Sequence, residues 1–387
     1  MTPPPIPRHA GIDTAAFSKT LAHTDASYKF LWLLALLEIV EKRGDCGDSR
    51  ILFGEIFYIA LKHAKAPVFR FKLLLGKNDK IKKYAAALEQ DGAGMWDFGG
   101  ADSFPDTPAF TKKCAEFCDY VPFRWLRPFV ESETKGAGGL ARNQNAINQA
   151  IAAAVAKKSK QSAPPPYTFT ANNTGIIMHP LWTEYFTRNA EVIRGWCLWH
   201  FARFLQSRNP NIPAIINKIA DDGDNVRRLK NQRKFWDLVM EKERVHCIYS
   251  GKKLQRGGFA LDHYVPWSFV GHDNMWNLIP ALPSANSSKS DNLPDGRYLR
   301  GLAEAHHAAL VIRMQHFPGK GKDLVESYVA DLKLPFSDIT DREKLYGAYK
   351  MFIPPLIDLA KANDFKAGWA YKSPTPLMDS GIPPAGE

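Results

Sequence analysis

Apolar residues recur along most of the chain with the spacing expected of helices. The longest apolar run, FLWLLALLEIV at residues 30–40, predicts a buried helix over residues 30–42 that Gly44 ends. A second apolar helix is predicted over residues 52–64. Residues 187–207 have the periodicity of a long amphipathic helix. The chain is therefore predicted to be mainly α.

The same spacing predicts three helices near the C-terminus, over residues 301–317, 323–332 and 341–362. Pro354-Pro355 should interrupt the last of them, and the pair His306-His307 is expected to be exposed on the first. Residues 68–75 (VFRFKLLL) favour a strand because they hold a β-branched and two aromatic residues, although a helix is possible.

A different pattern begins at residue 259, where short apolar stretches replace the helical spacing. Residues 259–263 (FALDH) predict a strand that ends at Asp262 and His263. Residues 265–276 are rich in loop-forming residues, and residues 277–282 (NLIPAL) predict a returning strand. The order is strand, loop, strand.

A short helix should follow the second strand. Ser284 can cap it, and the helix would place Asn286 and Lys289 on one face because they are three residues apart. The carboxylate of Asp262 and the amide oxygen of Asn286 are hard ligands that favour Mg²⁺ or Mn²⁺ over zinc. A histidine suits proton removal from water near neutral pH. These residues together predict metal-assisted hydrolysis of a phosphodiester.

The charge balance is compatible with a polyanionic partner. The chain has 51 Lys and Arg against 40 Asp and Glu, a net charge of +11 and a pI near 9.3. Five scattered cysteines without a CxxC pair indicate neither a disulfide framework nor a zinc knuckle. The start has no signal-peptide layout, and the apolar run at residues 30–40 is too short to span a bilayer. A cytoplasmic protein without a membrane association is expected.

A cluster of basic residues lies just before the strand pattern, in a helix predicted over residues 226–244. The cluster comprises Arg227, Arg228, Lys230, Arg233 and Lys234. These side chains either contact nucleic-acid phosphates or form an exposed charged face, and the sequence leaves both alternatives open.

Residues 245–294 resemble the HNH nuclease motif of the ββα-metal superfamily, in the variant whose third position is Asn. Pro266 stands three residues after the Asp262-His263 pair, and Asn277 and Asn286 follow at the expected intervals. The closing N-x-x-K-S-D-N-x-P is similar to the HNH domain of the RNA-guided CRISPR nucleases. The resemblance covers about an eighth of the chain.

The resemblance implies a role for each matching residue. Asp262 and Asn286 would hold the metal ion, Mg²⁺ or Mn²⁺. His263 would be the general base. Asn277 would constrain the loop and help to orient the ring of His263, and Lys289 could contact phosphate.

The chain departs from the family at the positions that often bind a structural zinc. Cys247 and Ser250 stand for the first CxxC pair, and Leu282 and Ala285 occupy the second. A structural zinc is therefore not expected. Aromatic packing should stabilise the small module instead, through Trp267, Phe269 and Trp276.

Composition and motif together predict a multi-domain α+β protein with five segments. Residues 133–166 change character, with GAGG, a helical stretch at 146–156 and KKSKQSAPPP, which is typical of a linker but also of a loop inside one domain. The segments are a mainly helical domain (1–132), the linker (133–166), a helical region with the basic helix (167–240), the HNH module (241–300) and a helical region with a loose tail (301–387).

The predicted function is a metal-dependent endonuclease that acts on DNA. Stretches such as YKFLWLLALLEIV, YVPFRWLRPF and SRNPNIP look similar to parts of standalone bacterial HNH proteins, which implies a role in restriction or anti-phage defence, with possible protein partners in such a system. Two alternatives remain: a nucleic-acid-binding subunit with a degenerate HNH module, and a ribonuclease.

Overall fold

The computed structural model describes residues 4–44, 48–90, 104–134, 143–219, 229–317 and 322–372. The chain divides into two compact units, Met1–Pro210 with Ile215–Gly223, and Asn211–Ala214 with Asp224–Glu387. Most described residues lie in helices, which confirms the prediction of a mainly α protein. The division into five segments stays a prediction.

The first unit is helical with one small sheet. Its helices are α1 (Thr14–Ser18), α2 (Tyr28–Arg43), α3 (Phe53–Lys65), α4 (Ile81–Gln90), α5 (Pro108–Cys118), α6 (Val121–Leu126), α7 (Glu131–Thr134), α8 (Gln144–Lys158), α9 (Pro180–Arg208) and α10 (Ile215–Ile219). Its strands are β1 (Arg50–Leu52), β2 (Tyr167–Phe169) and β3 (Gly175–Met178). A short 3₁₀-helix spans Arg127–Phe129.

Helix α2 forms the centre of this unit. Residues 30–37 are all buried because the run is apolar around the whole helix, and α3 and α9 pack against it. Gly44 ends α2 with a positive φ of 62°, as the sequence predicts. The rings of Trp125, Trp182 and Trp196 surround that of Phe17 within 6 Å and extend the core.

The small sheet has the order β1-β3-β2, and both pairs are antiparallel. Gly175 on β3 permits the close approach of β1, since a Cβ there would lie 2.3 Å from the carbonyl oxygen of Ile51.

Residues 68–75 form no strand, so the favoured prediction for them is wrong. Ala66–Arg70 make one π-helical turn directly after α3, and the chain is irregular from residue 71. The turn is closed by hydrogen bonds from the amides of Phe71 and Leu73 to the carbonyls of Ala66 and Pro67. These local bonds, together with burial of the Phe71 and Leu73 side chains, replace ladder pairing.

The second unit combines a two-stranded ribbon with surrounding helices. Its strands are β4 (Ala260–His263) and β5 (Leu278–Ala281). Its helices are α11 (Lys230–Met240), α12 (Trp267–Val270), α13 (Pro283–Lys289), α14 (Leu299–His316), α15 (Lys322–Leu332) and α16 (Arg342–Ala362). Single 3₁₀ turns lie at Met275–Asn277, Gly296–Tyr298 and Phe336–Asp338.

Pro354 and Pro355 do not interrupt α16, contrary to the prediction. The buried residues Tyr349 and Ile353 before the prolines and Ala360 after them continue one packed face. Both prolines are exposed, so the carbonyls that lose their helical hydrogen bonds can be hydrated by water.

His306 is buried, which overturns the expectation that the His306-His307 pair is exposed. Its ring lies against Trp236, Tyr328 and Tyr349, and its Nδ1 is 2.7 Å from the hydroxyl of Tyr328. Burial lowers the pKa of His306 to about 3, so the ring is neutral at physiological pH. His307 is half-buried, with its Nε2 2.9 Å from the carbonyl oxygen of Thr340.

Across the described part of the chain, no helix combines the length and the apolar character that a bilayer crossing requires.

Candidate active site

The ribbon of β4 and β5 places Asp262 and His263 at the end of a strand. The two strands are antiparallel, with Asp262 opposite Ile279 and His263 opposite Leu278. Helix α13 follows β5 and packs against β4. The predicted order of strand, loop, strand and helix is therefore present.

Helix α13 begins two residues earlier than a Ser284 cap predicts, and Ser284 is not its cap. Leu282 is the capping residue, and Pro283 occupies the first turn, where its missing N–H is not needed. The Oγ of Ser284 lies 3.1 Å from the hydroxyl of Tyr371 instead. The helix ends at Lys289, and the following residue, Ser290, has a positive φ of 46°.

Asn277 closes the loop between the two strands. Its Nδ2 donates to the carbonyl of Val265, and its Oδ1 accepts from the amide of Val265, both at 2.8 Å. Its own carbonyl accepts from the amide of Tyr264. The side chain is fully buried and fixes the backbone directly after His263.

Asp262 is buried and is held by two donors. Lys289 Nζ lies 3.0 Å from Oδ1, and the hydroxyl of Tyr249 donates to Oδ2 at 2.5 Å. Burial, followed by the charge of Asp262, raises the pKa of Tyr249 well above its usual value, so the phenol stays a neutral donor. Tyr249 was not among the predicted site residues, although it lies in the CIYSG stretch.

Lys289 is fully buried, and its amine also donates to the carbonyl of His263 at 2.6 Å. In this arrangement the amine ties the carboxylate of Asp262 to the backbone of His263. The predicted contact between Lys289 and a phosphate stays a prediction, and the structure directs the amine to Asp262.

His263 is nearly buried at the end of β4, and its Nε2 lies 2.8 Å from Oδ1 of Asp273. Asp273 belongs to the loop and was not predicted as a site residue. Its position in the GHDN stretch gave no signal, since acidic residues are common in loops.

Asn286 lies half-buried on α13, one turn before Lys289. Its amide oxygen and the carboxylate of Asp262 are both hard donors, and a carboxylate oxygen with one hydrogen bond keeps a second lone pair. Oxygen donors of these two types suit a cation such as Mg²⁺ that retains several waters. In the part of the chain that the structure describes, no group of three or more His, Cys, Asp or Glu side chains could hold a metal ion.

Cys247 and Leu282, which stand where the family resemblance would put zinc ligands, lie in contact. The buried Sγ of Cys247 accepts a hydrogen bond from the amide of Leu282 at 3.5 Å. The turn that holds Cys247 is closed by a bond from the amide of Gly251 to its carbonyl. The two segments that contain Cys247 and Leu282 therefore contact each other directly.

The basic helix is described only in part. Arg227 and Arg228 lie outside the described residues, and α11 begins at Lys230. Arg233 donates to the carbonyl of Phe259 at 3.0 Å, and its guanidinium lies over the Phe259 ring. The side chains of Lys230 and Lys234 are exposed.

The apolar face of α11 packs on the ribbon. The indole of Trp236 is fully buried and donates to the carbonyl of Leu278 on β5. Arg233 therefore helps to join α11 to the ribbon, whereas Lys230 and Lys234 face solvent. Their predicted contacts with nucleic acid stay predictions.

Residues 247–295 match the family model of the HNH endonucleases. The match suggests nuclease activity on nucleic acid. Nucleases of this family generally use divalent metal ions. No curated protein and no solved structure matches the chain.

Proposed function

We propose that this protein is a metal-dependent endonuclease that hydrolyses phosphodiester bonds in DNA. The observation that carries the proposal is the packing of α13, the helix that carries Asn286, against β4, the strand that ends at Asp262 and His263. These residue types supply the oxygen ligands and the base that the reaction needs.

In the proposed reaction, His263 removes the proton from the attacking water. Lys289 and Tyr249 hold the carboxylate of Asp262 in place, and Asn277 fixes the backbone after His263. A divalent cation held by Asp262 and Asn286 would supply charge neutralisation at the scissile phosphate and the leaving oxygen.

A cleavage assay on plasmid DNA with Mg²⁺ or Mn²⁺ tests the proposal. His263→Ala should abolish cleavage and leave DNA affinity nearly unchanged, because the base acts in the transition state. Wild-type single-turnover rates in this variant would exclude His263 as the base. A parallel RNA substrate distinguishes a ribonuclease.

One observation favours a second candidate, a nucleic-acid-binding subunit with a degenerate HNH module. Both carboxylate oxygens of Asp262 already accept hydrogen bonds, one from Lys289 and one from Tyr249. A cation bound to Asp262 would have to share these oxygens with the two donors. Tight DNA binding without cleavage of DNA or RNA, and without measurable Mg²⁺ or Mn²⁺ binding, would identify this alternative.

We further propose a role in restriction or anti-phage defence in the cytoplasm. The support is the sequence resemblance to standalone bacterial HNH proteins and the net charge of +11. Plaque assays in cells that express the wild type or His263→Ala test this role. Equal plaque counts for the two proteins across a phage panel would contradict it.

A further inference from the structure

We propose that Asp273 is a positioning residue for His263, which fixes the tautomer of the ring and leaves Nδ1 as the atom that accepts the proton from water. The proposal deepens the nuclease function proposed above and rests on it. It assigns a role to a loop residue outside the set of Asp262, His263, Asn277, Asn286 and Lys289.

The geometry is that of a hydrogen bond in a largely enclosed site. His263 Nε2 lies 2.8 Å from Asp273 Oδ1, and the two side chains are 6% and 29% exposed. The ring is therefore largely enclosed by protein, which restricts its rotation, and the carboxylate is partly open to solvent.

The chemistry of the two groups determines where the proton lies. An ionised carboxylate only accepts hydrogen bonds, so the ring nitrogen that contacts it carries the hydrogen. A neutral imidazole has one N–H and one bare nitrogen. With the hydrogen on Nε2, the bare nitrogen of His263 is Nδ1, and only a bare nitrogen can act as a base.

The backbone that presents Asp273 is held by α11. The side-chain amide of Gln232 donates to the carbonyl of Asp273 at 3.2 Å. The neighbouring ring of His272 is turned into the loop, where its Nδ1 accepts from the amide of Asn274. These two hydrogen bonds restrain the main chain that carries the Asp273 side chain.

Helices α15 and α16 hold the residues that follow. The carboxylate of Asp331 on α15 accepts from Asn274 Nδ2 at 2.6 Å and from Trp276 Nε1 at 2.5 Å. The hydroxyl of Tyr349 on α16 donates to the carbonyl of Trp276. Three helices outside residues 247–295 therefore restrain the loop that carries Asp273.

The first experiment observes the ring directly. The full-length, metal-free protein is labelled with ¹⁵N-histidine, and the ring signals are recorded at about pH 8, where histidines are mostly neutral. The signal absent from His263→Gln belongs to His263. The expected pattern is a protonated Nε2 and a bare Nδ1 in the wild type, with a mixture of tautomers in Asp273→Ala.

The second experiment separates positioning from binding. Asp273→Ala should lower kcat by about 10- to 100-fold, while the KM for DNA and the affinity for Mg²⁺ stay within about twofold. Asp273→Asn keeps an accepting oxygen and should retain more activity. If Asp273→Ala does not fold, Asp273→Asn replaces it in both experiments.

Asp338→Asn is the matched control. The carboxylate of Asp338 is 26% exposed and contacts Lys344 at 3.0 Å in the same unit, so its substitution removes a side-chain contact of a carboxylate with similar exposure, away from His263. The control should keep the kcat of the wild type.

Two outcomes would overturn the proposal: a hydrogen on Nδ1 of His263 in the wild type, or an unchanged kcat in a folded Asp273→Ala. A wild type that cleaves no substrate would contradict the nuclease function instead. In that case the ring signals still decide the tautomer.

Discussion

The amine of Lys289 lies 3.0 Å from the carboxylate of Asp262, and neither side chain is more than 4% exposed. Desolvating two charges costs free energy, which the mutual attraction and the added hydrogen bonds from Tyr249 and to the His263 carbonyl offset. Such a pair is sensitive to the loss of one partner. The site is therefore also a part of the core of its unit.

Lys289→Met should destabilise the second unit by about 3–5 kcal/mol, because it leaves a buried carboxylate without its counter-charge. Lys361→Met is the control, since Lys361 pairs with Asp358 on the exposed surface, where such pairs contribute under about 1 kcal/mol. Denaturant unfolding followed by tryptophan fluorescence measures both. Equal effects of the two variants would show that the buried pair is not needed for stability.

Removal of either proposed metal ligand should weaken cation binding. Asn286→Ala and Asp262→Ala are each expected to lower the affinity for Mn²⁺ by at least about 10-fold, since each removes an oxygen donor. Ser287→Ala, an exposed substitution on the same helix, is the control. Titration calorimetry gives the affinities, and full cleavage activity of the wild type in EDTA would refute the metal requirement.

The exposed lysines of α11 offer a test of the DNA surface. The double variant Lys230→Gln, Lys234→Gln should weaken binding to all sequences and reduce the slope of log affinity against log salt by about 2. Each phosphate contact releases counterions from the DNA on binding, and the variant would lose two such contacts. Turnover at saturating DNA should be kept. Binding titrations at several salt concentrations measure the slope, and an unchanged slope would place the DNA surface elsewhere.

Arg233→Gln provides a contrast on the same helix. Arg233 donates to the carbonyl of Phe259 and covers its ring, so its loss should lower the stability of the unit with little effect on the salt slope. A salt slope that falls by about one, at unchanged stability, would instead make Arg233 a phosphate contact.

Local patterns predicted much of this structure. Helix α2 follows from spacing and from its end at Gly44, and the spacing at residues 187–207 indicated most of α9, which begins earlier, at Pro180. The two strands and the helix of the site follow from the motif. These features depend on residues close in sequence, which is why the sequence indicates them.

The partners of the site residues could not be predicted in the same way. The Tyr349 hydroxyl reaches the Trp276 carbonyl across 73 residues of sequence, and Asp331 reaches the same residue across 55. Such pairs depend on how the helices pack. His306 is a related case: it was expected to be exposed, but in the fold it lies on the buried face of α14 with Leu302 and Leu310.

The buried ring of His306 should make the stability of the second unit depend on pH. In the unfolded chain a histidine binds a proton below about pH 6.5, whereas burial lowers the pKa of His306 in the fold to about 3. Between these values the unfolded state binds more protons. The free energy of unfolding therefore falls as the pH falls, by up to about 1.4 kcal/mol per pH unit from this group.

His306→Asn should remove this part of the pH dependence, because an amide can bond to the Tyr328 hydroxyl but does not titrate. The two proteins are unfolded in urea at several pH values from about 8 to about 4.5. Unfolding is followed by tryptophan fluorescence, to which Trp236 contributes, whose ring centroid lies 5.3 Å from that of His306. The variant starts from lower stability at high pH because it loses the ring contacts, and the difference from the wild type should shrink as the pH falls. A constant difference over the whole range would mean that His306 accepts its proton equally well in the folded and unfolded chain, and that its burial does not exclude the charged form.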